Sequence, residues 1–459
     1  MAIKLRPYQV DAIKEVFDSF RINETNVILN MPPGAGKTTV FAAILKKCIE
    51  TNFPVVFCVR SRELVKNASK TLKRYGIDHS IFMSGSIHYS AKKMVQVCSA
   101  DTLTARKSFP FSDQEVLLCL DEVHKDYSKI IENYPRGFIL GLSGTPYNVE
   151  MNKYFHRVIS PVQAYELRDS GYLVDFVTYC PNIMSTKDIS IKRGDFDKKQ
   201  LESVVTESAV VGNVVSDWIK YGQDRPTVCF AVSVAHSQML ANEFKRAGIS
   251  AVHCDANSTE QEREHARIGL ENGSVKVVCN VDIFSVGWDC PAVSCIIQAR
   301  PTWSLIWYLQ ALGRGNRSMD GKENCIVIDS AGNVFRHGLF YEVRDIDLTK
   351  KEKKQYKEKD NITNCEACFM IFDSKFRTCP HCGHQKPVKE RRLNLKEGEL
   401  SMYNEDPHER RSRLIRECRL HFKNCEWVRR RKGIKNPSFS IDSCIKKFGE
   451  EIVNAMNAR

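Results

Sequence analysis

The sequence predicts an α/β protein: two tandem lobes with parallel sheets, followed by a small four-cysteine ribbon and a basic helical tail. Three observations carry that expectation. Short apolar runs alternate with amphipathic stretches, as βα units do. The alternation is given twice, with a break between the two sets. Beyond the second set, a charge run and two closely spaced cysteine pairs replace the apolar pattern.

In chain order, "NVILNM" (26–31), "VVFCV" (55–59), "MVQVC" (94–98), "VLLCL" (116–120) and "GFILGL" (137–142) read as strands of a first lobe over 1–160. Continuous apolar runs of this length suit parallel strands covered by helices on both faces. Residues 161–205 read as a linker. The pattern resumes over 206–348 with "TVCFAV" (227–232), "VKVVCN" (275–280), "VSCIIQ" (293–298) and "CIVIDS" (325–330). Residues 349–362, with "TKKEKKQYKEKD", lack an apolar face and read as a charged linker. A ribbon is expected over 363–388 and a basic segment over 389–459.

Composition agrees. A chain of 459 residues is too long for one ordinary domain, and 42% hydrophobic with 27% charged residues is ample for cores. No apolar run approaches the roughly 18 residues of a membrane span. The start, "MAIKLRPYQV", lacks a signal peptide's apolar stretch, so its 18 cysteines are expected in a reducing compartment. Several, such as Cys58 and Cys119, sit within apolar strands as small core residues. Residues 351–459 hold 26 Lys and Arg against 16 Asp and Glu, a balance of +10. The first 350 hold only +3 of the net +13, so the basic excess at the C-terminal part suits a polyanionic partner or a solvated surface.

The first strand runs into "MPPGAGKTT" (31–39). Gly34 and Gly36 let backbone N–H groups approach phosphate oxygens, and the next helix presents its positive N-terminus. Lys37 can reach β- and γ-phosphates, and the Thr38 hydroxyl can bind Mg²⁺. Met31 stands where the strict pattern has its first glycine. "LLCLDEVH" (117–124) places Asp121 and Glu122 at a strand's C-terminal end, where open α/β sheets bind ligands. Asp121 suits Mg²⁺, and Glu122 suits the base for an attacking water.

"CEACFMIFDSKFRTCPHCG" (365–383) offers Cys365, Cys368, Cys379 and Cys382 as two CxxC pairs, a spacing that suits closed, structural Zn²⁺. Redox or iron–sulfur use is the alternative. Phe369, Phe372 and Phe376 are the expected ribbon core, with His381 and His384 in reserve as ligands. Further on, 408–420 reads as a basic helix. Arg429–Lys432 would contact phosphates, while Trp427, Phe439 and Phe448 would serve the same surface or a small core.

The phosphate loop, "DEVH", "GLSGTP" (141–146) and "QALGRGNR" (310–317) follow one another as in superfamily 2 helicases and translocases. The chain resembles their DExH group, which includes XPB, UvsW-like phage helicases and restriction-enzyme motors. "LRPYQVDAI" (5–13), "YELRDSGYLV" (165–174), "GWDCP" (287–291) and "RPT" with Ser304 match as well, over roughly 3–345. The resemblance implies two RecA-like lobes, ATP and Mg²⁺. Pro33, Gly34, Ala35, Gly36, Lys37, Thr38 and Thr39 would hold phosphates, and Arg6 and Gln9 the adenine. His124, Ser143 and Thr145 would couple nucleotide to nucleic acid. Gly287 and Asp289 would face the cleft from the second lobe, although Val286 departs from the Glu common there. Gln310, Arg314 and Arg317 would reach across the cleft, the arginines toward the γ-phosphate. The function implied is an ATP-dependent DNA helicase or duplex translocase serving replication, recombination or branch migration. Its DNA would be single-stranded, forked or branched, its setting a bacterial or phage-infected cytoplasm, with protein partners at the tail. An RNA helicase and an adaptor using ATP as a switch are the alternatives.

Overall fold

The computed structural model describes residues 3–86, 88–146, 151–181, 186, 189–192, 194–205, 208–284, 289–344, 346, 348 and 361–386, together with 411, 414–415, 417–419, 421–422, 425 and 439–457 of the tail. The chain forms two compact units, 1–387 and 388–459.

The first unit contains two parallel sheets. In the first lie β1 (Asn26–Asn30), β2 (Val55–Val59), β3 (Ser80–Phe82), β4 (Val95–Ser99), β5 (Val116–Asp121), β6 (Gly137–Ser143) and β7 (Arg157–Ile159), in the order β3-β4-β2-β5-β6-β1-β7. Side chains alternate between the two faces: Val55, Phe57 and Val59 join one apolar cluster, Val56 and Cys58 the other. Period-two alternation of residues that are all apolar is what a sheet covered on both sides requires. The helix Pro7–Arg21 packs on one face with the helix Lys37–Glu50, through Ala12, Val16, Phe41 and Leu45.

The remaining strands are β8 (Asp175–Tyr179), the hairpin β9 (Ile191–Lys192) and β10 (Asp195–Phe196), then β11 (Thr227–Phe230), β12 (Ala251–Cys254), β13 (Val277–Asn280), β14 (Cys295–Gln298) and β15 (Asn324–Ile328). The second sheet runs β12-β13-β11-β14-β15-β8, again all parallel. It too separates two cores, with Cys229, Ile297 and Ile328 on one face and Phe230, Ile296 and Val327 on the other. Three of its helices start on side-chain caps: Ser233 accepts from the His236 N–H, Thr259 forms a reciprocal box with Glu262, and Ser304 accepts from the Trp307 N–H.

The stretch 161–205, expected as a linker, supplies β8 to the edge of the second sheet, paired with β15 from Asp175↔Asn324 to Tyr179↔Ile328. Leu173 packs in a core of the first sheet and its neighbour Val174 in a core of the second, so the chain crosses between lobes here.

The antiparallel pair β16 (Ile362–Asn364) and β17 (Ile371–Asp373) follows, and it docks on β8. The Cys180 N–H donates to the Phe369 carbonyl at 3.0 Å, and Asn364 Nδ2 donates back to the Cys180 carbonyl at 3.0 Å. Ile362 and Ile371 cover Cys180 and Val334. The expected ribbon core divides: Phe372 is buried with Cys365 and Cys379, Phe369 packs against the second lobe, and Phe376 is 50% exposed.

In the second unit, the helices Phe439–Phe448 and Glu450–Asn457 enclose Cys444 and Val453, with Cys418, Phe422 and Phe448 in the same cluster. Phe448 therefore serves a small core. Trp427 and Arg429–Lys432 lie outside the described residues, as does the Phe439 side chain. Among the described residues no helix is long and apolar enough to cross a membrane.

Candidate active site

The C-terminal ends of β1, β5 and β6 open onto a cleft of about 440 Å³ between the lobes. After β1 the chain turns through Pro32–Gly36 before the helix Lys37–Glu50. Gly34 and Gly36 have φ of +86° and +79°, a region that side chains with a Cβ resist. From the first lobe, Gly34, Gly36, Lys37, Thr38 and Thr39 line the cleft with Asp121, Glu122 and Thr145. From the second come Asp289, Gln310, Arg314 and Arg317.

Lys37 Nζ lies 3.3 Å from Asp121 Oδ1 and 3.1 Å from Glu122 Oε1. Burial alone would lower its pKa, but the two carboxylates outweigh burial and hold the ammonium above its ordinary value. Burial raises the Asp121 carboxyl, with Lys37 opposing and Glu122 adding to the rise. Glu122 follows β5 at φ +49°, an uncommon conformation for a residue with a side chain, and it aims the carboxylate into the cleft. Its Oε2 accepts from Gln310 Nε2 at 3.1 Å, a hydrogen bond from one lobe to the other. His124 Nδ1 stands 3.3 Å from the same oxygen. Burial, then the charges of Lys125 and Lys37, push His124 down to about 3, so its imidazole is neutral.

Arg314 is pushed down to about 9 by burial and by the neighbouring Arg317 guanidinium, yet stays charged at neutral pH. Arg317 pairs with Asp289. Gly313 lets this turn approach the phosphate loop, because a Cβ there would meet Pro33 Cβ at 2.4 Å. Ser143 and Thr145 are fully buried beside the loop. The Thr145 N–H donates to Ser143 Oγ at 3.1 Å, and the Ser143 carbonyl accepts from the Met31 N–H at 3.0 Å.

Arg6 and Gln9 do not line this cleft. Gln9 is buried, with Nε2 donating to the Ala35 carbonyl at 3.1 Å and Oε1 accepting from the Arg6 N–H at 2.9 Å. The nitrogen of its amide thus braces the phosphate loop while the oxygen caps its own helix, and pairing with a base would require both to let go. Gly287 and Val286 lie outside the described residues. Sequence reasoning missed Tyr75, whose hydroxyl is 3.0 Å from Thr39 Oγ1, and Tyr8, which donates to Ala35 at 2.9 Å. Tyr8 lies inside "LRPYQVDAI", whereas nothing local distinguishes Tyr75.

Apart from the cleft, Cys365, Cys368, Cys379 and Cys382 place their sulfurs within 4.8 Å of one another. Each pair sits on a turn that ends in a left-handed residue, Phe369 at φ +59° and Gly383 at φ +73°. Burial would raise the Cys365 thiol, but backbone N–H groups of Cys368 and Ala367 bring it down to about 6. Four converging soft donors with hydrogen-bond support fit tetrahedral Zn²⁺. His381 instead turns its Nε2 to the Tyr179 hydroxyl at 3.2 Å.

Residues 2–148 match the family described as type III restriction enzyme, res subunit, and residues 211–319 the helicase conserved C-terminal domain. The "51.5 kDa protein" of a Lactococcus phage (isolate 7-9) is 27% identical over 390 residues, covering 83% of this chain and 82% of the phage protein. IRC3 of Saccharomyces cerevisiae, named as an ATP-dependent helicase, is 25% identical over 72% of this chain, which spans about half (51%) of the yeast protein. Two solved structures share the fold at 17% identity. One is a fragment assigned to the HsdR subunit of a type I restriction enzyme from Vibrio vulnificus YJ016 (TM-score 0.57, 72% of this chain and 65% of that one). The other is the ATP-dependent type ISP restriction-modification enzyme LlaBIII bound to DNA (TM-score 0.52, 71% and 27%). With these two domains matched in order on two parallel sheets, the chain is a superfamily 2 helicase-like protein.

Proposed function

We propose that this protein is an ATP-dependent DNA helicase or duplex DNA translocase, driven by hydrolysis in the cleft between its lobes. The observation that carries the reading is the meeting of Lys37, Asp121 and Glu122 from the first lobe with Gln310, Arg314 and Arg317 from the second. A triphosphate would draw Lys37 away from the two carboxylates it now bridges. Thr38 and Asp121 would hold Mg²⁺, which supplies positive charge to the phosphates. Glu122 takes a proton from water as the water oxygen bonds to the γ-phosphorus. The bond to the β–γ bridging oxygen breaks, and ADP and phosphate leave. Arg314 and Arg317 offset the charge that develops, and they can do so only while the lobes are together. Phosphate release then loosens the cleft, which is how hydrolysis becomes movement.

The test is ATP hydrolysis measured side by side with single-stranded DNA, duplex DNA and RNA, using wild type and Glu122→Gln. DNA should stimulate the wild type most. E122Q should bind ATP and DNA but turn over at least about a hundredfold more slowly, the lower range for loss of a general base. Stimulation by RNA alone would make it an RNA helicase. Near-normal turnover by E122Q would remove Glu122 from the base role.

A further inference from the structure

Asn316 lies in the turn that carries both arginines, but it does not line the cleft. It is fully buried, and its Nδ2 donates to the Pro33 carbonyl of the phosphate loop at 2.9 Å. The amide orientation follows from chemistry: a carbonyl only accepts, so the nitrogen must face Pro33. The other end, Oδ1, is buried without a hydrogen-bond partner and lies 3.0 Å from where a Cβ on Gly34 would stand. The backbone of Asn316 is fixed as well. Its carbonyl accepts from the Val174 N–H at 2.9 Å, and the adjacent Arg317 pairs with Leu173. Leu173 and Val174 are where the chain crosses from one lobe's core to the other's. Leu173 also presses on the loop, with Cδ2 2.7 Å from the Gly34 Cβ position. Asn316 thus joins three places: the crossover by its backbone, the phosphate loop by its side chain, and the arginines by sequence.

We propose that Asn316 is a positioning residue that sets the register of Arg314 and Arg317 against the phosphate loop when the lobes close. This rests on the hydrolytic reading of the cleft. One lobe can rotate on the crossover in many ways that bring the arginines near the cleft. The orientation that seats the Asn316 amide on the Pro33 carbonyl also places Gly313 against Pro33 and brings Arg314 and Arg317 to the wall of the cleft. An arginine that acts in the transition state loses its effect with small displacements, so a side chain that touches no nucleotide can control turnover.

Asn316→Asp is the discriminating variant. It keeps size and shape but sets a carboxylate against the Pro33 carbonyl, replacing attraction by repulsion. Full-length wild type, N316D and N316A are compared in ATP hydrolysis at saturating DNA, in affinity for a fluorescent ATP analogue, and in thermal unfolding. Small-angle scattering with a non-hydrolysable ATP analogue reads closure independently of hydrolysis. N316D should lower kcat at least tenfold while KM and analogue affinity change less than threefold, and its radius of gyration should exceed that of wild type. N316A should fall between the two. Turnover by N316D within twofold of an active wild type, or scattering identical to wild type, overturns the proposal. A parallel loss of kcat, affinity and melting temperature in both variants also overturns it, since that marks a merely structural role. A wild type that closes on the analogue without hydrolysing ATP would refute the hydrolytic reading instead, and N316D would still report on the clamp through scattering.

Discussion

At the scale of single residues, the cleft balances charges that a triphosphate would rearrange. Arg314 bears a burial cost and sits beside another guanidinium, so an anion between them would relieve both. Arg317 has Asp289 to leave before it can reach a phosphate. Arg317→Ala should therefore reduce kcat by about 10³–10⁵ while nucleotide affinity changes little, because such an arginine works mainly in the transition state. Arg314→Ala should act in the same direction and less severely. Single-turnover hydrolysis and equilibrium nucleotide binding check the split; normal hydrolysis by both variants would sink the cross-lobe account. Lys37, Asp121 and Glu122 could be picked out in the sequence because their neighbours dictate local backbone shape: a strand, then a glycine turn or a strand end. Asn316 and Leu173 could not, because their contacts with Pro33 and Gly34 join distant parts of the chain and their residue types announce nothing. Gln9 shows the opposite limit, since its motif was visible but its amide is bound to Ala35 rather than turned to the cleft.

Elements were legible where both faces are buried. The runs at β1, β2, β4, β5 and β6, and later at β11, β13, β14 and β15, are mainly apolar and buried, because cores lie on both sides of each sheet. The strands β3, β7, β8 and β12 escaped: they are short or lie at sheet edges, where one side can be polar. β8 begins on exposed Asp175, and its partner β15 identifies it only in three dimensions. The cysteine spacing was readable, but the docking of that module on β8 was not, since it depends on Cys180, Val334 and Tyr179 far upstream. These contacts set the outcome of dismantling the four-cysteine cluster. Cys379→Ser with Cys382→Ser leaves two sulfurs, too few for a closed site, and metal binding to such modules supplies folding free energy. Wild type should carry about one zinc per chain by elemental analysis and the double variant none. The variant should also melt at a lower temperature, because β16 and β17 would no longer cover Cys180 and Val334. Iron in place of zinc, or a double variant as stable as wild type, would contradict this.

For the whole molecule, charge is distributed unlike mass. The first 350 residues, which hold both sheets, carry a balance of only +3. Residues 388–459 form a separate compact unit and hold 18 Lys and Arg against 11 Asp and Glu, a balance of +7. A motor that held DNA only through its lobes would not need that excess. The division after Pro387 also indicates where to cut: ending at residue 350 would strip the docked module from β8, whereas ending at Pro387 keeps it. The chain truncated after Pro387 should hydrolyse ATP and melt near the full-length temperature, while binding DNA more weakly. Each phosphate that the missing tail no longer neutralises should flatten the log–log salt dependence of binding by about 0.9 on duplex DNA and about 0.7 on single strands. Affinities of both proteins, titrated across salt on forked and single-stranded DNA, give the slopes. Unchanged slopes on both substrates would show that the tail's charge serves a partner other than DNA. A slope that flattens on forks alone would place the tail on the duplex arms, leaving the single strand to the lobes.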